Sequence, residues 1–218
     1  MKYIFSVLSL LLLSCASTPP VTSIPETGTT YVTASWYGEQ FNGRPTSSGE
    51  RYDMYGHTAA HKTMKFGTRL RVTNPDTNRS VDVIVNDRGP FIPGRDIDLS
   101  FGAARAIGFD NKGVGRVKIE FLGRDMRYSK RIPFTPSKAL VHGGVTIQVG
   151  SFANELYADR LKEGLEIKYE HVYITTVSLS NIQYYRVRIG KFDTYESAYS
   201  FAEKLADEGY NTFITSID

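Results

Sequence analysis

The sequence contains very little cysteine and lacks the long apolar run of a membrane-spanning helix. One cysteine among 218 residues excludes an intramolecular disulfide and a cysteine-rich metal site. The N-terminal apolar run from Ile4 to Leu13 covers about 10 residues, whereas a transmembrane helix needs about 20. With 41% hydrophobic and 22% charged residues, the rest of the chain is typical of globular protein, and its length has room for one or two domains.

A strong excess of charge of either sign is also missing. The chain has 26 Lys and Arg against 23 Asp and Glu, which gives a net charge of +3. This weakly basic balance suits contact with an anionic polymer, but it is too small to indicate a nucleic-acid-binding surface. We therefore expect no nucleic-acid partner.

The first residues form an export signal. A positive start at Lys2 is followed by the apolar run and then by Leu12-Leu13-Ser14-Cys15, a pattern typical of a signal peptide over residues 1–14. Its end resembles a bacterial lipobox, which implies lipidation of Cys15; the alternative is an ordinary signal peptide with an incidental cysteine. The residue after the cysteine is Ala16 and not an aspartate, and under the sorting rule for bacterial lipoproteins this favours the outer membrane. Residues 15–30, rich in Ser, Thr and Pro, predict a flexible tether.

The C-terminal third contains an internal repeat. Two copies of a strand–Gly–x–Phe–helix pattern are offset by 40 residues without a gap, and a β-rich run follows each copy. The order βαβ–βαβ predicts a four-stranded sheet with two helices on one face. The matching positions are Ile147, Val149, Gly150, Phe152, Ala158, Leu161 and Leu165 in the first copy, and Val187, Ile189, Gly190, Phe192, Ala198, Phe201 and Leu205 in the second.

Strand alternation assigns the polar residues of this repeat to one sheet face. Val187 and Ile189 point toward the helices, so Arg186 and Arg188 point the other way. The sequence therefore predicts an uncovered, basic face, which is either simply solvated or a platform for a long polar ligand.

This segment, residues 143–218, resembles the SPOR domain. The resemblance rests on Ile147-Gln148-Val149-Gly150-Ser151-Phe152 and Tyr185-Arg186-Val187-Arg188-Ile189-Gly190-Lys191-Phe192. It implies binding of peptidoglycan glycan strands that lack stem peptides, and enrichment at the division septum. Carried over to this chain, the ligand-binding residues would be Gln148, Ser151, Arg186 and Arg188.

Residues 31–124 predict a compact β-barrel. Residues 69–74, 80–86 and 114–122 alternate like strands, and one helix is expected at residues 100–107, capped by Asp98 or Ser100. Polar residues cluster in loops after these strands, where binding and catalytic groups usually lie on a rigid scaffold. Residues 125–142 are expected to be a linker.

The N-terminal motifs resemble the rare lipoprotein A (RlpA) family, and the order of lipobox, tether, barrel and SPOR domain extends the resemblance over nearly the whole chain. The family fold implies an all-β double-psi β-barrel with one or two short helices, followed by an α+β, ferredoxin-like βαββαβ SPOR domain. The motifs are Ala34-Ser35-Trp36-Tyr37-Gly38, Thr46-Ser47-Ser48-Gly49-Glu50, Thr58-Ala59-Ala60-His61, Val85-Asn86-Asp87-Arg88-Gly89-Pro90-Phe91 and Asp96-Ile97-Asp98-Leu99-Ser100.

The resemblance implies an endolytic peptidoglycan lytic transglycosylase (a carbon-oxygen lyase) without a cofactor. Such an enzyme cleaves the MurNAc-β-1,4-GlcNAc bond and leaves 1,6-anhydro ends. Asp87 would be the general acid/base, with Glu50 and His61 as further active residues and Asp98 as a competing acid. Trp36, Tyr37 and Arg88 would contact substrate. The implied setting is the cell envelope, with a lipid anchor, denuded glycan and other division-site proteins as partners.

Each assignment has a simpler alternative. Asp87 is otherwise a turn cap, Asp98 a helix cap, Glu50 a solvated acid, His61 a core histidine bonded to backbone, and Arg88 a salt-bridge partner; Trp36 and Tyr37 are otherwise core aromatics. The four-residue spacing of His57 and His61 suits zinc only on a helix, which Gly56 disfavours, and no metal is expected. At the level of the whole protein, the alternatives are a non-catalytic, expansin-like wall-binding or wall-loosening protein and a septal scaffold.

Overall fold

A computed structural model describes residues 28–132 and 144–217. The predicted signal peptide, Cys15, most of the predicted tether and residues 133–143 of the predicted linker lie outside the described residues. Within those two ranges, no helix has the length and apolar composition needed to cross a bilayer.

The N-terminal domain is a closed barrel of six strands. In chain order these are β1 (Thr29–Tyr37), β2 (Thr58–His61), β3 (Thr68–Asn74), β4 (Arg79–Asp87), β5 (Ile97–Ser100) and β6 (Val114–Arg124). They close in the order β1-β5-β2-β4-β3-β6, in which β1–β5 and β2–β4 are parallel and the other pairs antiparallel. The predicted barrel is confirmed.

Alternating side chains explain why these segments form strands. In β3, Leu70 and Val72 are buried in the barrel core, whereas Arg69 and Arg71 are exposed. Burying an aliphatic side chain of this size contributes roughly 1.5–3 kcal/mol. Helix α1 (Phe101–Ala106) begins where the Ser100 hydroxyl accepts a hydrogen bond from a backbone N–H, so Ser100 rather than Asp98 is its cap.

The C-terminal domain is the predicted βαββαβ unit. Its elements are β7 (Val145–Phe152), α2 (Glu155–Glu166), β8 (Val172–Leu179), β9 (Ile182–Phe192), α3 (Tyr195–Glu208) and β10 (Phe213–Ser216). The sheet is antiparallel throughout, in the order β10-β7-β9-β8. The duplication extends to the helix caps, since Asn154 and Thr194 occupy equivalent positions and each accepts a backbone N–H at its helix start.

A β-bulge sets the polar face of this sheet. Gln148 pairs with Arg188 and Ser151 pairs with Arg186, with a register shift between Gln148 and Gly150. A bulge inserts one extra residue into a strand. Gln148 and Ser151 are three positions apart, and the bulge places both of them opposite residues on the same face of β9.

Arg188 departs from the predicted uncovered face. Its side chain is only 4% exposed, and its guanidinium donates a 3.0 Å hydrogen bond to the Ile217 carbonyl. The expectation that Arg188 is open to solvent is therefore wrong, because the arginine is used to hold the chain beyond β10.

The two domains share a packed interface. Phe66, in the loop between β2 and β3, is fully buried within the core cluster of the C-terminal domain. Its ring meets the Tyr210 ring edge-on at 4.9 Å, and its backbone N–H donates to the Glu208 carbonyl at 3.0 Å. Lys65 forms a 2.7 Å ion pair with Asp207 beside it. The barrel therefore contributes a core residue to the second domain.

Candidate active site

Asp87 lies at the end of β4, where the strand leaves the barrel. Its Oδ1 accepts backbone hydrogen bonds from Ser47 and Arg88, both at 2.8 Å. Burial raises the pKa of this carboxyl, and it outweighs the opposing effects of the hydrogen bonds from Ser47 and Arg88 and of the Arg160 charge. Asp87 is therefore suited to hold a proton at a pH where an ordinary aspartate is ionised.

A cleft of about 820 Å³ opens beside Asp87. The barrel forms most of it, and helix α2 of the second domain forms the facing wall. Its lining includes Trp36, Tyr37, Phe41, Asp87, Arg88, Phe91, Arg95, Asp98 and Phe101 from the barrel, and Leu156, Asp159, Arg160 and Glu163 from α2.

Asp98 lines the same cleft but is held in an ion pair. One guanidinium nitrogen of Arg95 donates to both Asp98 oxygens, at 2.6 and 2.7 Å, and the Ser35 hydroxyl also donates to this carboxylate. Asp98 is 9% exposed. Both oxygens of Asp98 are thus engaged by Arg95, and the Ser35 hydroxyl adds a third hydrogen bond.

Glu50 supports the Asp87 loop from outside the cleft. One of its oxygens accepts a 2.8 Å hydrogen bond from the Asn86 amide, and both accept from the Tyr128 hydroxyl at 2.8 and 2.7 Å. Although Glu50 is exposed, it is not a free solvated acid. Glu50 holds Asn86, the residue that precedes Asp87, through this hydrogen bond.

His61 is a buried structural histidine in this geometry. Its Nδ1 accepts the backbone N–H groups of Thr63 and Met64 at 3.1 and 3.0 Å. Burial, followed by the charges of Arg88 and Lys62 among its neighbours, lowers the pKa of His61 to about 3. The ring is therefore neutral and holds the loop after β2. Because β2 is a strand, the helical spacing weighed for a zinc pair with His57 does not occur.

Trp36 and Tyr37 belong to both the packing and the cleft. The Trp36 ring lies 5.4 Å from that of Phe101, and Tyr37 stacks on Tyr52 at 4.3 Å. The Tyr52 hydroxyl donates to the Tyr37 carbonyl at 2.6 Å. These contacts fix two aromatic walls of the cleft.

Arg88 turns toward the second domain rather than toward Asp87. Its Nε donates a 2.6 Å hydrogen bond to the Tyr210 hydroxyl, and its Cζ lies 3.8 Å from the centre of the Phe66 ring. The side chain is 4% exposed. Within residues 28–132 and 144–217, Arg88 forms no ion pair with a carboxylate, and its burial leaves little of the side chain for a sugar.

The predicted ligand residues of the second domain differ in their exposure and position. Gln148 and Ser151 line another groove, of about 570 Å³, together with Ser47 of the barrel. Arg186 lies across from Ser151 in the sheet and is partly exposed, whereas Arg188 is buried. The structure thus brings Gln148 and Ser151 to the domain boundary and takes Arg188 out of reach.

Helix α2 carries the cleft residue Arg160 and a further contact to the barrel, Tyr157, neither of which the motifs indicated. Arg160 lies over the Phe41 ring at 4.3 Å, and the Arg44 guanidinium donates to the Tyr157 hydroxyl. Sequence reasoning missed both α2 residues because their role depends on how the domains dock.

Comparison with known proteins agrees with this architecture. Residues 29–119 match the family described as lytic transglycolase, and residues 141–216 match the SPOR domain. A Vibrio cholerae protein named endolytic peptidoglycan transglycosylase RlpA is 37% identical over 186 residues, which cover 85% of this chain and 68% of that protein.

Two further relatives carry the same name. The Helicobacter pylori J99 protein is 36% identical over 188 residues, which cover 78% of this chain and 59% of the relative. The Pseudomonas aeruginosa UCBPP-PA14 protein is 57% identical over 88 residues, 40% of this chain and 26% of the relative. The chain thus spans less than two thirds of these two proteins. The closed barrel, the duplicated second domain and the extended match to the Vibrio protein together show that this chain belongs to the RlpA family.

Proposed function

We propose that this protein is an endolytic lytic transglycosylase that cleaves the MurNAc-β-1,4-GlcNAc bond of peptide-free glycan strands. The observation that carries the proposal is Asp87, a carboxyl with a raised pKa in a cleft walled by aromatic side chains. A general acid at neutral pH needs this shift, and sugar rings stack on aromatic faces. Membership of the RlpA family supports the same reaction.

The reaction needs one acid that also serves as a base. Protonated Asp87 gives its proton to the glycosidic oxygen as the bond from that oxygen to C1 of MurNAc breaks. The Asp87 carboxylate then takes the proton of the MurNAc 6-hydroxyl while the 6-oxygen bonds to C1. No water is consumed, and Asp87 ends the cycle protonated.

The ion pair of Asp98 supports this assignment. An inverting hydrolase needs a second carboxylate free to activate water. Asp98 is the other carboxyl that the sequence nominates in the cleft, and Arg95 and Ser35 occupy it. The two backbone N–H groups on Oδ1 of Asp87 orient that carboxyl in the cleft.

The cellular setting completes the proposal. Cys15 would anchor the protein by lipid at the periplasmic face of the outer membrane. The SPOR domain would hold it on denuded glycan at the septum, beside other division-site proteins. Tethering to the same strand raises the local concentration of substrate at the cleft.

Digestion of purified, stem-peptide-free glycan tests the activity. The full-length protein in detergent should release products lighter than the hydrolytic ones by the mass of one water, as read by mass spectrometry. Asp87→Asn should abolish the products while the variant still pellets with glycan. Glycan binding without any products would instead support the non-catalytic wall-binding alternative.

A further inference from the structure

Helix α2 is fixed against the loop that carries Asp87. A Cβ added at Gly164 would lie 2.9 Å from Cβ and 2.8 Å from Cγ of Arg88, so the helix backbone rests directly on the residue after Asp87. The hydrogen bond from Arg88 to Tyr210 holds the same loop from α3's side. This α2 wall of the cleft is therefore as well positioned as the barrel walls.

The cleft lining contains three cationic side chains, and two of them are already bound by other residues of the protein. Arg88 is buried against Phe66 and Tyr210, and Arg95 donates to Asp98. The Arg160 guanidinium instead lies over the Phe41 ring, 4.3 Å from its centre, and forms no ion pair with any acid in residues 28–132 and 144–217. A guanidinium that stacks on an aromatic ring keeps its N–H edge available for a planar anion.

The chemistry of peptide-free glycan supplies such an anion. Removal of the stem peptide leaves a free carboxylate on the lactyl group of each MurNAc, whereas an attached peptide turns that carboxylate into a neutral amide. Arginine binds carboxylates through two parallel hydrogen bonds. Asp159 and Glu163 are the other charged α2 residues in the lining, so Arg160 is the cation that α2 offers to such a carboxylate.

We infer that Arg160 is a specificity-determining residue, which binds the lactyl carboxylate of a MurNAc beside Asp87 and so selects strands without stem peptides. This inference rests on the proposed function, and it gives the second domain a direct part in the catalytic cleft. The proximity of the Arg160 charge to Asp87 agrees with this placement, since that charge lowers the pKa of the Asp87 carboxyl.

Binding of a defined ligand tests the inference without relying on cleavage. The probes are a GlcNAc–MurNAc disaccharide with a free lactyl acid and the same disaccharide as its lactyl methyl ester. Full-length protein in detergent should bind the acid more tightly than the ester, by about 10- to 100-fold for one charge-assisted contact. Arg160→Ala should lose that preference by weakening acid binding alone, and Arg160→Lys should keep part of it.

Controls separate this role from others. Lys162→Ala removes a cation from the same helix, where it pairs with Glu166 outside the cleft, and should leave the preference intact. Thermal unfolding of each variant excludes loss of the fold. Equal affinity of the wild-type protein for acid and ester would overturn the inference, as would an Arg160→Ala variant that retains the preference. Failure of the proposed cleavage is recognised separately, by the absence of anhydro products from glycan.

Discussion

The Arg88 guanidinium donates a 2.6 Å hydrogen bond to the Tyr210 hydroxyl, and these residues are 122 positions apart in the chain. Arg88 follows Asp87 directly, and Tyr210 follows the last helix of the second domain. The residue next to the candidate acid is thus bonded across the domain boundary. Docking of the second domain and positioning of Asp87 are consequently coupled.

Removing the Tyr210 hydroxyl should weaken that coupling. Tyr210→Phe leaves Nε of Arg88 buried without its acceptor, which costs about 1–3 kcal/mol of unfolding free energy. We expect a lower midpoint in urea and a fall in kcat for glycan cleavage. Thr77→Val removes a 2.8 Å hydroxyl bond to the Ile107 carbonyl at an exposed position of the barrel domain, and it should lower stability slightly and leave kcat unchanged. Unchanged kcat in Tyr210→Phe would argue against the coupling.

Asp87→Asn should stabilise the protein increasingly as the pH rises. The raised pKa means that folded Asp87 binds its proton more tightly than unfolded Asp87. In the wild-type protein, Asp87 therefore contributes favourably to the free energy of unfolding at low pH. That contribution is lost as the pH rises from the unfolded value of about 3.9 through the folded pKa. Asparagine has no ionisation to lose. Thermal unfolding at pH 4 and pH 8 measures the difference, and an identical shift at both values would contradict it.

His61 should make the protein sensitive to acid. Its pKa is lowered to about 3, so the unfolded chain takes up a proton below about pH 6.5 while the folded chain does not. Stability from this group is complete above that value and falls by up to about 1.4 kcal/mol per pH unit as the pH drops toward the folded pKa.

A histidine substitution isolates this effect. His61→Asn should be less stable than wild type at pH 8, and its stability should change less between pH 6.5 and pH 4. His57→Asn, at an exposed position, provides the matched control and should retain the wild-type slope. Urea unfolding over this range is the measurement, and parallel curves for wild type and His61→Asn would refute the assignment.

The two arginines of β9 should respond differently to charge reversal. Arg186 is partly exposed beside Ser151, so Arg186→Glu should weaken pelleting with denuded glycan several-fold and leave the melting temperature nearly unchanged. Arg188→Glu should instead unfold the domain, because it buries a charge and removes the donor to Ile217. A folded Arg188→Glu variant with intact pelleting would show that the structural role of Arg188 is wrong.

Local patterns predicted most of the fold. Alternation in residues 69–74 and 80–86 matches β3 and β4 within one residue at each end, because one face of each strand is buried in the barrel. The repeat predicted both helices of the second domain, because each copy buries the same apolar positions. The carboxyl at the end of β4 was likewise identifiable from its motif.

The domain interface could not be predicted in this way, because it depends on long-range packing. One signal was present in the repeat. The position equivalent to Gly164 in the second copy is Lys204, which is exposed, and a glycine within a helix costs about 1 kcal/mol relative to alanine. The glycine at this one copy indicates a close neighbour, which the structure identifies as Arg88. The positions of Arg88 and Arg160 follow from that docking.

The burial of Phe66 has a consequence for biogenesis. The barrel is synthesised first, and the Phe66 ring lacks its packing against Tyr210 until that residue and the end of α3 have been made and folded. A partly synthesised chain therefore exposes more of this aromatic side chain, and the second domain supplies the complementary pocket. Truncation after the barrel would leave that ring exposed to water. The barrel surface around Phe66 is therefore covered when the second domain is present and folded.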